Sequence, residues 1–291
     1  MKIIIRNCNV AELDIPLKYA TKLYNEFAIR HPNAFYLRTR QRGMQNWDGK
    51  IKYITKTGQF KIGLLPSVYK RCIELGIKPI IVDMRQPLPK VSKVVTQIGK
   101  YKLRPEQEKA VKAILSNKLG ETPFQIGVLD YTVNAGKTLI MSALYLSYKK
   151  QLKTLLITND SDWLNQARDE FKQYLPGEDI TFVQGKVLNW SNFTIGMVQS
   201  ISRNMKYYQN ELAKIDMVLI DEADQGGSKQ YQNVITRLFN TRVRIGLSGT
   251  IYMSKLAKDK VKNMNLRCFF GDVIAEFKLK DSIKKGYSTK T

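Results

Sequence analysis

Six apolar runs spaced through residues 124–248 constrain this chain more than any other feature. They are FQIGVL (124–129), KTLLIT (153–158), DITFVQ (179–184), FTIGMV (193–198), MVLID (217–221) and VRIGLS (243–248). Amphipathic segments separate most of them, as in SDWLNQARDEFKQYL from Ser161 to Leu175. Strands that are apolar throughout need cover on both faces, and the intervening helices supply it. The pattern therefore predicts an α/β fold with a parallel sheet covered by helices on both faces. Ligands of such sheets sit beyond the carboxyl ends of the strands.

Two of those ends carry chemistry. FQIGVL runs into DYTVNAGKTLIMSALYLSYKK, where Gly136-Lys137-Thr138 opens a helix. Free N–H groups and the dipole at a helix start favour a phosphate. Lys137 is then placed to reach the β/γ-phosphates of a nucleoside triphosphate, and the Thr138 hydroxyl to ligate Mg²⁺. The strict pattern GxxxxGK[ST] is not met, because Tyr131 occupies its first position and Asn134 stands where glycine often sits. A bare GKT also occurs in ordinary loops; the strand–loop–helix context raises it above that.

The second end is MVLID, which finishes in Asp221 and continues with Glu222 and Asp224. Asp221 lies 84 residues after Lys137. Asp221 reads as a Mg²⁺ ligand and Glu222 as the group that orients or deprotonates an attacking water. An acidic loop capping the next helix is the plainer alternative, and it loses once Lys137 and Thr138 are considered with it.

Composition narrows the chemistry. His31 is the only histidine, which excludes a Ser-His-Asp triad and His-rich metal or nuclease centres. Cys8, Cys72 and Cys268 are widely separated and are expected to be reduced, unpaired thiols. Charge is unevenly spread: residues 1–100 hold 19 basic and 6 acidic side chains, residues 101–250 hold 19 and 15, and residues 251–291 hold 10 and 4. Two basic flanks around a balanced centre suit a polyanion such as DNA, since phosphate contacts release counterions. No apolar run approaches the roughly 18 residues needed to span a membrane. The N-terminal run is too short for a signal peptide, so a cytoplasmic protein without a membrane partner is expected.

Before residue 100 the pattern differs. Strand-like runs MKIIIR, GKIKYITK and KPIIVDM and helical candidates around Leu17–Arg30 and Ser67–Leu75 suggest a small α+β module. RQPLPKVSK (85–93) reads as a linker. The expected organisation is a small basic accessory domain over residues 1–95 and a nucleotide-binding domain over 96–291.

The order of motifs resembles the first RecA-like domain of a superfamily 2 helicase. LRPEQEKAV (103–111) is similar to the adenine-reading segment, which implies that Gln107 contacts the base with Arg104 nearby. YTVNAGKT resembles motif I and implies that Asn134, Ala135, Gly136, Lys137 and Thr138 cradle ATP. LLITNDSDWLNQARDEF resembles motif Ia, with Gln166 at the nucleic-acid-contacting offset and Asn159 where proline is usual. TIGMVQSI resembles the next nucleic-acid motif, implying contacts from Gln199 and Ser200. DEAD (221–224) is motif II, and GLSGT (246–250) resembles motif III, implying that Asp224, Ser248 and Thr250 couple nucleotide state to DNA. The spelling DEAD does not make this a DEAD-box RNA helicase: that subfamily has PTRELA and SAT where this chain has TNDSDWLNQ and SGT.

NWDGKIKYI (46–54) followed by FKIGLLPSVYKRCIELG (60–76) is similar to the accessory domain of bacteriophage recombination helicases. The resemblance implies a DNA-stimulated ATPase and helicase acting on branched or forked duplex and single-stranded DNA, in recombination, repair and fork restart. The phage attribution, and with it a host-cell cytoplasm, rests on that resemblance. Trp47 among Arg38, Arg40, Arg42 and Lys50 reads either as part of a DNA surface or as a buried anchor, and the anchor is favoured for Trp47 with the basic residues as DNA contacts. The chain stops about 40 residues after motif III without an assignable arginine finger. A second RecA-like domain is therefore expected as a partner, with weak hydrolysis in its absence. An ATP-gated DNA-binding adaptor and the motor of a restriction or nuclease machine are the other readings.

Overall fold

The computed structural model describes residues 1–41, 43–185, 187–252 and 257–287. The chain divides into two compact units, and the division does not follow the boundary expected at residue 95. One unit comprises Met1–Met84 together with Tyr252–Gly271; the other comprises Arg85–Ile251 and Asp272–Thr291.

The first unit opens with β1 (Lys2–Ile5), β2 (Val10–Asp14), α1 (Leu17–Glu26), β3 (Ala28–Arg30) and α2 (Ala34–Arg40). It continues with β4 (Lys50–Lys52), β5 (Gln59–Lys61), α3 (Leu65–Glu74) and β6 (Ile80–Asp83). Four strands form a sheet in the order β5-β2-β1-β6, with β6 parallel to β1 and the other pairs antiparallel. The helix expected over Leu17–Arg30 ends at Glu26, because Ala28–Arg30 pair antiparallel with Lys50–Lys52. The nearest register pair, Arg30 with Lys50, is 20 residues apart, so local periodicity cannot report it. In α3, Leu65, Val68 and Cys72 are buried on one face, and Pro66 fits the first turn, where its missing N–H costs nothing.

The second unit begins with the hairpin β7 (Gln97–Ile98) and β8 (Tyr101–Lys102), then α4 (Pro105–Leu115) and the hairpin β9 (Lys118–Leu119) and β10 (Thr122–Pro123). The main alternation follows: β11 (Ile126–Tyr131), α5 (Lys137–Ser147), β12 (Thr154–Thr158), α6 (Ser161–Tyr174), β13 (Ile180–Gln184), β14 (Val187–Leu188) and β15 (Phe193–Met197). Then come α7 (Val198–Arg203), α8 (Met205–Ala213), β16 (Met217–Asp221), α9 (Lys229–Ile235) and β17 (Val243–Ser248). After β17 the chain leaves for α10 (Ala257–Phe270) in the first unit and returns as β18 (Val273–Phe277) and α11 (Leu279–Lys284).

One sheet of eight strands organises this unit, in the order β14-β13-β15-β12-β16-β17-β11-β18. Seven strands run parallel, and the two-residue β14 pairs antiparallel with β13. All six apolar runs form strands. Every residue of β11, β12, β16 and β17 is buried, as strands covered on both faces must be. Helix α5 is buried almost all round, which is why its sequence shows little amphipathic contrast. The expected linker over 85–93 is irregular, yet Leu88 and Val91 within it pack on the core of this unit, so it belongs to the sheet domain.

Helix α10 is fastened to the first unit by close backbone contact. A Cβ on Gly63 would lie 2.2 Å from the Arg267 carbonyl oxygen and 2.7 Å from that of Cys268. Tyr53 Oη donates to Asn265 Oδ1 at 3.0 Å, and Leu266, Cys268, Phe269 and Phe270 are buried. Cys8, Cys72 and Cys268 are all buried free thiols. Among the described residues, no helix is long and apolar enough to cross a membrane. Gly63→Ala is expected to destabilise the protein by about 1–3 kcal/mol through overpacking, read from urea unfolding followed by tyrosine fluorescence.

Candidate active site

The sheet register brings three strand ends together. Strand β17 lies between β16 and β11, with Leu247 beside Asp221 and Ser248 beside Asp130. The residues that follow β11, β16 and β17 therefore converge at the carboxyl edge.

The loop after β11 turns by two left-handed residues, Asn134 with φ 61° and Gly136 with φ 71°. Asn134 thus occupies a backbone position that suits glycine, and asparagine is among the few other residues that visit that region routinely. Helix α5 starts at Lys137, whose N–H and those of the next residues have no partner within the helix. Lys137 Nζ lies 3.8 Å from Asp221 Oδ1.

Asp221 is 5 % exposed, and its Oδ1 is buried without a hydrogen-bond partner. Burial raises the Asp221 pKa; Lys137 and the Glu222 N–H oppose this, while Asp160 and Asp224 add to it. Glu222 is also raised, by burial first and then by Asp221, Asp224 and Asp160. Its backbone is left-handed, with φ 51° and ψ 49°, a conformation costing a non-glycine residue about 1–2 kcal/mol. Lys137 thus opposes, at Asp221 and at Glu222, the charge of neighbouring carboxylates. Among the described residues no group of three metal-ligating side chains forms. The residues present fit Mg²⁺ of the kind that keeps water and phosphate ligands and takes only one or two from protein: Asp221 offers an orphaned acceptor-only oxygen, and Thr138, 8 % exposed, follows Lys137.

Ser248 Oγ donates to Asp224 Oδ1 at 2.8 Å, and the Thr250 N–H donates to Ser248 Oγ at 3.2 Å. Motif III thus touches motif II directly. Ser248 is buried and Thr250 exposed. A second link was not legible in the sequence. Gln225 Nε2 donates to Glu222 Oε2 (3.1 Å), Asn159 Nδ2 donates to Gln225 Oε1 (2.7 Å), and Gln199 Nε2 donates to the Asn159 carbonyl (3.3 Å). This chain of amides runs from Glu222 to Gln199. Its only sequence trace is Asn159 standing where the motif usually has proline.

Gln107 is 2 % exposed and lies against the phosphate loop. Its Oε1 accepts from the Arg104 N–H at 2.9 Å, and its Nε2 donates to the Ala135 carbonyl at 2.9 Å. Arg104 Nη2 donates to the Asn134 carbonyl at 3.2 Å, and its guanidinium stacks on the Tyr287 ring at 4.3 Å. Arg104 also pairs with Glu106 at 3.3 Å, and Lys285 with Glu106 at 2.6 Å. Lys278 pairs with the buried Asp130. Asp130, Glu106, Lys278, Lys285 and Tyr287 were not singled out from sequence, because the pairs join α11 and its flanks to segments far earlier in the chain.

The remaining candidates are dispersed. Gln166 is exposed on α6 and bonds Glu170 at 2.9 Å; Ser200 Oγ accepts from the Gly185 N–H at 2.9 Å. Arg38, Arg40 and Lys50 are exposed in the other unit, and Arg42 lies outside the described residues.

With this geometry in view, residues 100–253 match the protein family described as type III restriction enzyme, res subunit, which is more than half of the chain. The chain belongs to that family. It is 24 % identical over 227 residues to the ATP-dependent DNA helicase uvsW of Enterobacteria phage T4, covering 71 % of this chain and 43 % of that protein. It is 26 % identical over 147 residues to the putative ATP-dependent RNA helicase L396 of Acanthamoeba polyphaga mimivirus, covering 50 % of this chain and 27 % of that protein. The chain thus spans less than half the length of these curated relatives. The crystal structure of the UvsW helicase from bacteriophage T4 superposes with a TM-score of 0.72 at 21 % identity, covering 94 % of this chain and 100 % of that one. The RecA-like fold and the small α+β region before it are those of a superfamily 2 helicase resembling UvsW.

Two outcomes follow. A carboxyl raised in the folded state binds its proton more readily folded than unfolded. Its contribution is therefore best below the ordinary carboxylate range and declines as pH rises through that range toward the raised value. Ligand-free Asp221→Asn is expected to be more stable than the parent at pH 7, the advantage shrinking at pH 4, as read from urea unfolding at both pH values. Ser248→Ala is expected to cost about 1.5–3 kcal/mol, the range for a hydrogen bond to a charged group, in the same assay at pH 7.

Proposed function

We propose that the chain is the nucleotide-binding part of an ATP-dependent DNA helicase that acts on branched DNA in recombination, repair and fork restart. One observation carries this reading: Lys137, Thr138, the orphaned oxygen of Asp221 and the raised carboxyl of Glu222 meet where three adjacent strands end. The free N–H groups opening α5 and Lys137 Nζ bind the triphosphate. Thr138 and Asp221 hold Mg²⁺, which neutralises phosphate charge. Glu222 accepts the proton of the attacking water, and burial, which raises its pKa, makes its carboxylate the better base.

Arg104 and Gln107 read the adenine. Gln107 keeps one N–H and one carbonyl lone pair beyond the two bonds it makes, a donor and an acceptor for a base edge. Asp224, Ser248 and Thr250 couple the nucleotide to DNA held by Gln166, Gln199 and Ser200. Arg38, Arg40, Arg42 and Lys50 add phosphate contacts from the accessory domain. A second RecA-like domain supplies the arginine that completes the site, a contribution of roughly 10³–10⁵ in rate.

The family description favours one other reading, the motor of a restriction complex. Against it stands the likeness to the UvsW crystal structure, which extends over 94 % of this chain and so includes the N-terminal unit. The test is ATP hydrolysis with and without branched DNA, with the second motor domain added as a separate polypeptide. Turnover is expected only when both are present. Lys137→Ala is expected to abolish ATP binding, and Glu222→Gln to retain binding while lowering kcat by roughly 10²–10⁴-fold. An assembly that binds ATP and DNA without turnover would replace the helicase with an ATP-gated adaptor.

A further inference from the structure

Residues 27–47 contain no acidic side chain, and they include Arg30, Arg38, Arg40 and Arg42. Helix α2 lies in this stretch. It turns Ala34 inward and leaves Leu37 half-buried, while Phe35, Tyr36, Arg38, Thr39 and Arg40 face outward. Phe35 is 79 % exposed and Tyr36 55 %. Two adjacent large aromatics facing water contribute nothing to a core, and such a patch marks an interaction surface. Phe35 lies one helical turn from Arg38, and Tyr36 one turn from Arg40, whose guanidinium sits 5.1 Å from the Tyr36 ring centre.

A helix of seven residues does not hold itself, and the NWDG segment seats it. A Cβ on Gly49, whose φ is 75°, would lie 3.0 Å from Ala34 Cβ, and the Gly49 carbonyl accepts from the His31 N–H at 2.8 Å. Trp47 packs edge-on against His31 with ring centres 5.8 Å apart, and its indole N–H donates to the Lys50 carbonyl at 3.0 Å. Asp48 accepts from the Lys50 N–H at 2.9 Å and pairs with Lys52 at 3.2 Å. Trp47 and Asp48 are therefore committed to the scaffold. The rings left facing solvent are those of Phe35 and Tyr36, the latter with Arg40 over one face.

We propose that Phe35 and Tyr36 form a stacking platform for unpaired bases at a DNA branch point, with Arg38 and Arg40 on the flanking phosphates. The inference rests on the DNA-binding reading above and adds the residues that distinguish a branch from a plain duplex. Charge selects the occupant: a second copy would bring the same acid-free, arginine-bearing face and repel, whereas DNA brings phosphates to the arginines and π-faces to the rings. Pairing state follows from geometry. Bases inside a duplex present only their edges, and a ring can stack on one only where the helix ends or forks.

The test uses the full 291-residue chain and two probes of equal length, a duplex and a fork carrying 2-aminopurine beside the branch. Affinity and 2-aminopurine fluorescence are followed at several salt concentrations. The parent is expected to quench the fork probe. Phe35→Ala with Tyr36→Ala is expected to lose roughly tenfold or more in fork affinity and to abolish quenching, with duplex affinity unchanged. Leucine at both positions keeps apolar area without a π-face and is expected to behave like alanine. Arg38→Ala with Arg40→Ala is expected to weaken both probes and flatten the salt dependence. Unchanged fork affinity and quenching in the double alanine variant would overturn the platform while leaving the DNA-binding reading intact. Retention of binding by the leucine variant, or a parent dimer lost in the alanine variant, would also overturn it. A parent that binds neither probe would overturn both readings.

Discussion

The ionised form of Asp221 sits where burial disfavours it, with three further carboxylates nearby and one lysine to oppose them. Much of the surrounding arrangement follows from making that placement tolerable. The strand carrying Asp221 is buried along its whole length, so its side chain cannot turn to water. The Asp221 carboxylate takes the Glu222 N–H, and Lys137 reaches toward its free oxygen. That approach, at 3.8 Å, is longer than a good charged hydrogen bond.

Backbone strain also lies beside this pair. Asn134 and Glu222, on either side of the Lys137–Asp221 pair, are both non-glycine residues in the left-handed region. Each aims a peptide N–H or a carboxyl group in a direction that an ordinary turn would not. Strain of this kind persists only where surroundings over-determine it. For the phosphate loop those surroundings are Arg104 and Gln107, bonded to the Asn134 and Ala135 carbonyls. For Glu222 they are the amides of Gln225 and Asn159.

What the sequence disclosed depended on how local the deciding interaction was. Six strands were readable because burial on both faces forces an unbroken apolar run. β18 was not, since VIAEF alternates buried and exposed positions and carries Glu276. In the N-terminal unit, β4 falls inside the strand-like run GKIKYITK, whereas β3 and β5 have three residues each, too few for a period to register. α2 escaped because its outward face is aromatic, so hydrophobicity and burial point in opposite directions. Within the site, Lys137, Thr138, Asp221 and Glu222 were readable from motif spacing. The Asn159–Gln225 contact was not, because it joins positions 66 residues apart through side chains that serve equally well in any loop.

Helix α10 gives the molecule an unusual topology. The chain passes between the two units three times, at residues 84–85, 251–252 and 271–272. The N-terminal unit is consequently not a bead that recombination can add to or trim from a motor. Cutting the chain before residue 85 would leave the second unit carrying a helix whose Leu266, Phe269 and Phe270 had lost their core, and the severed piece would lack the helix that closes it. No single cut of the chain therefore separates the two units with the core of each left whole.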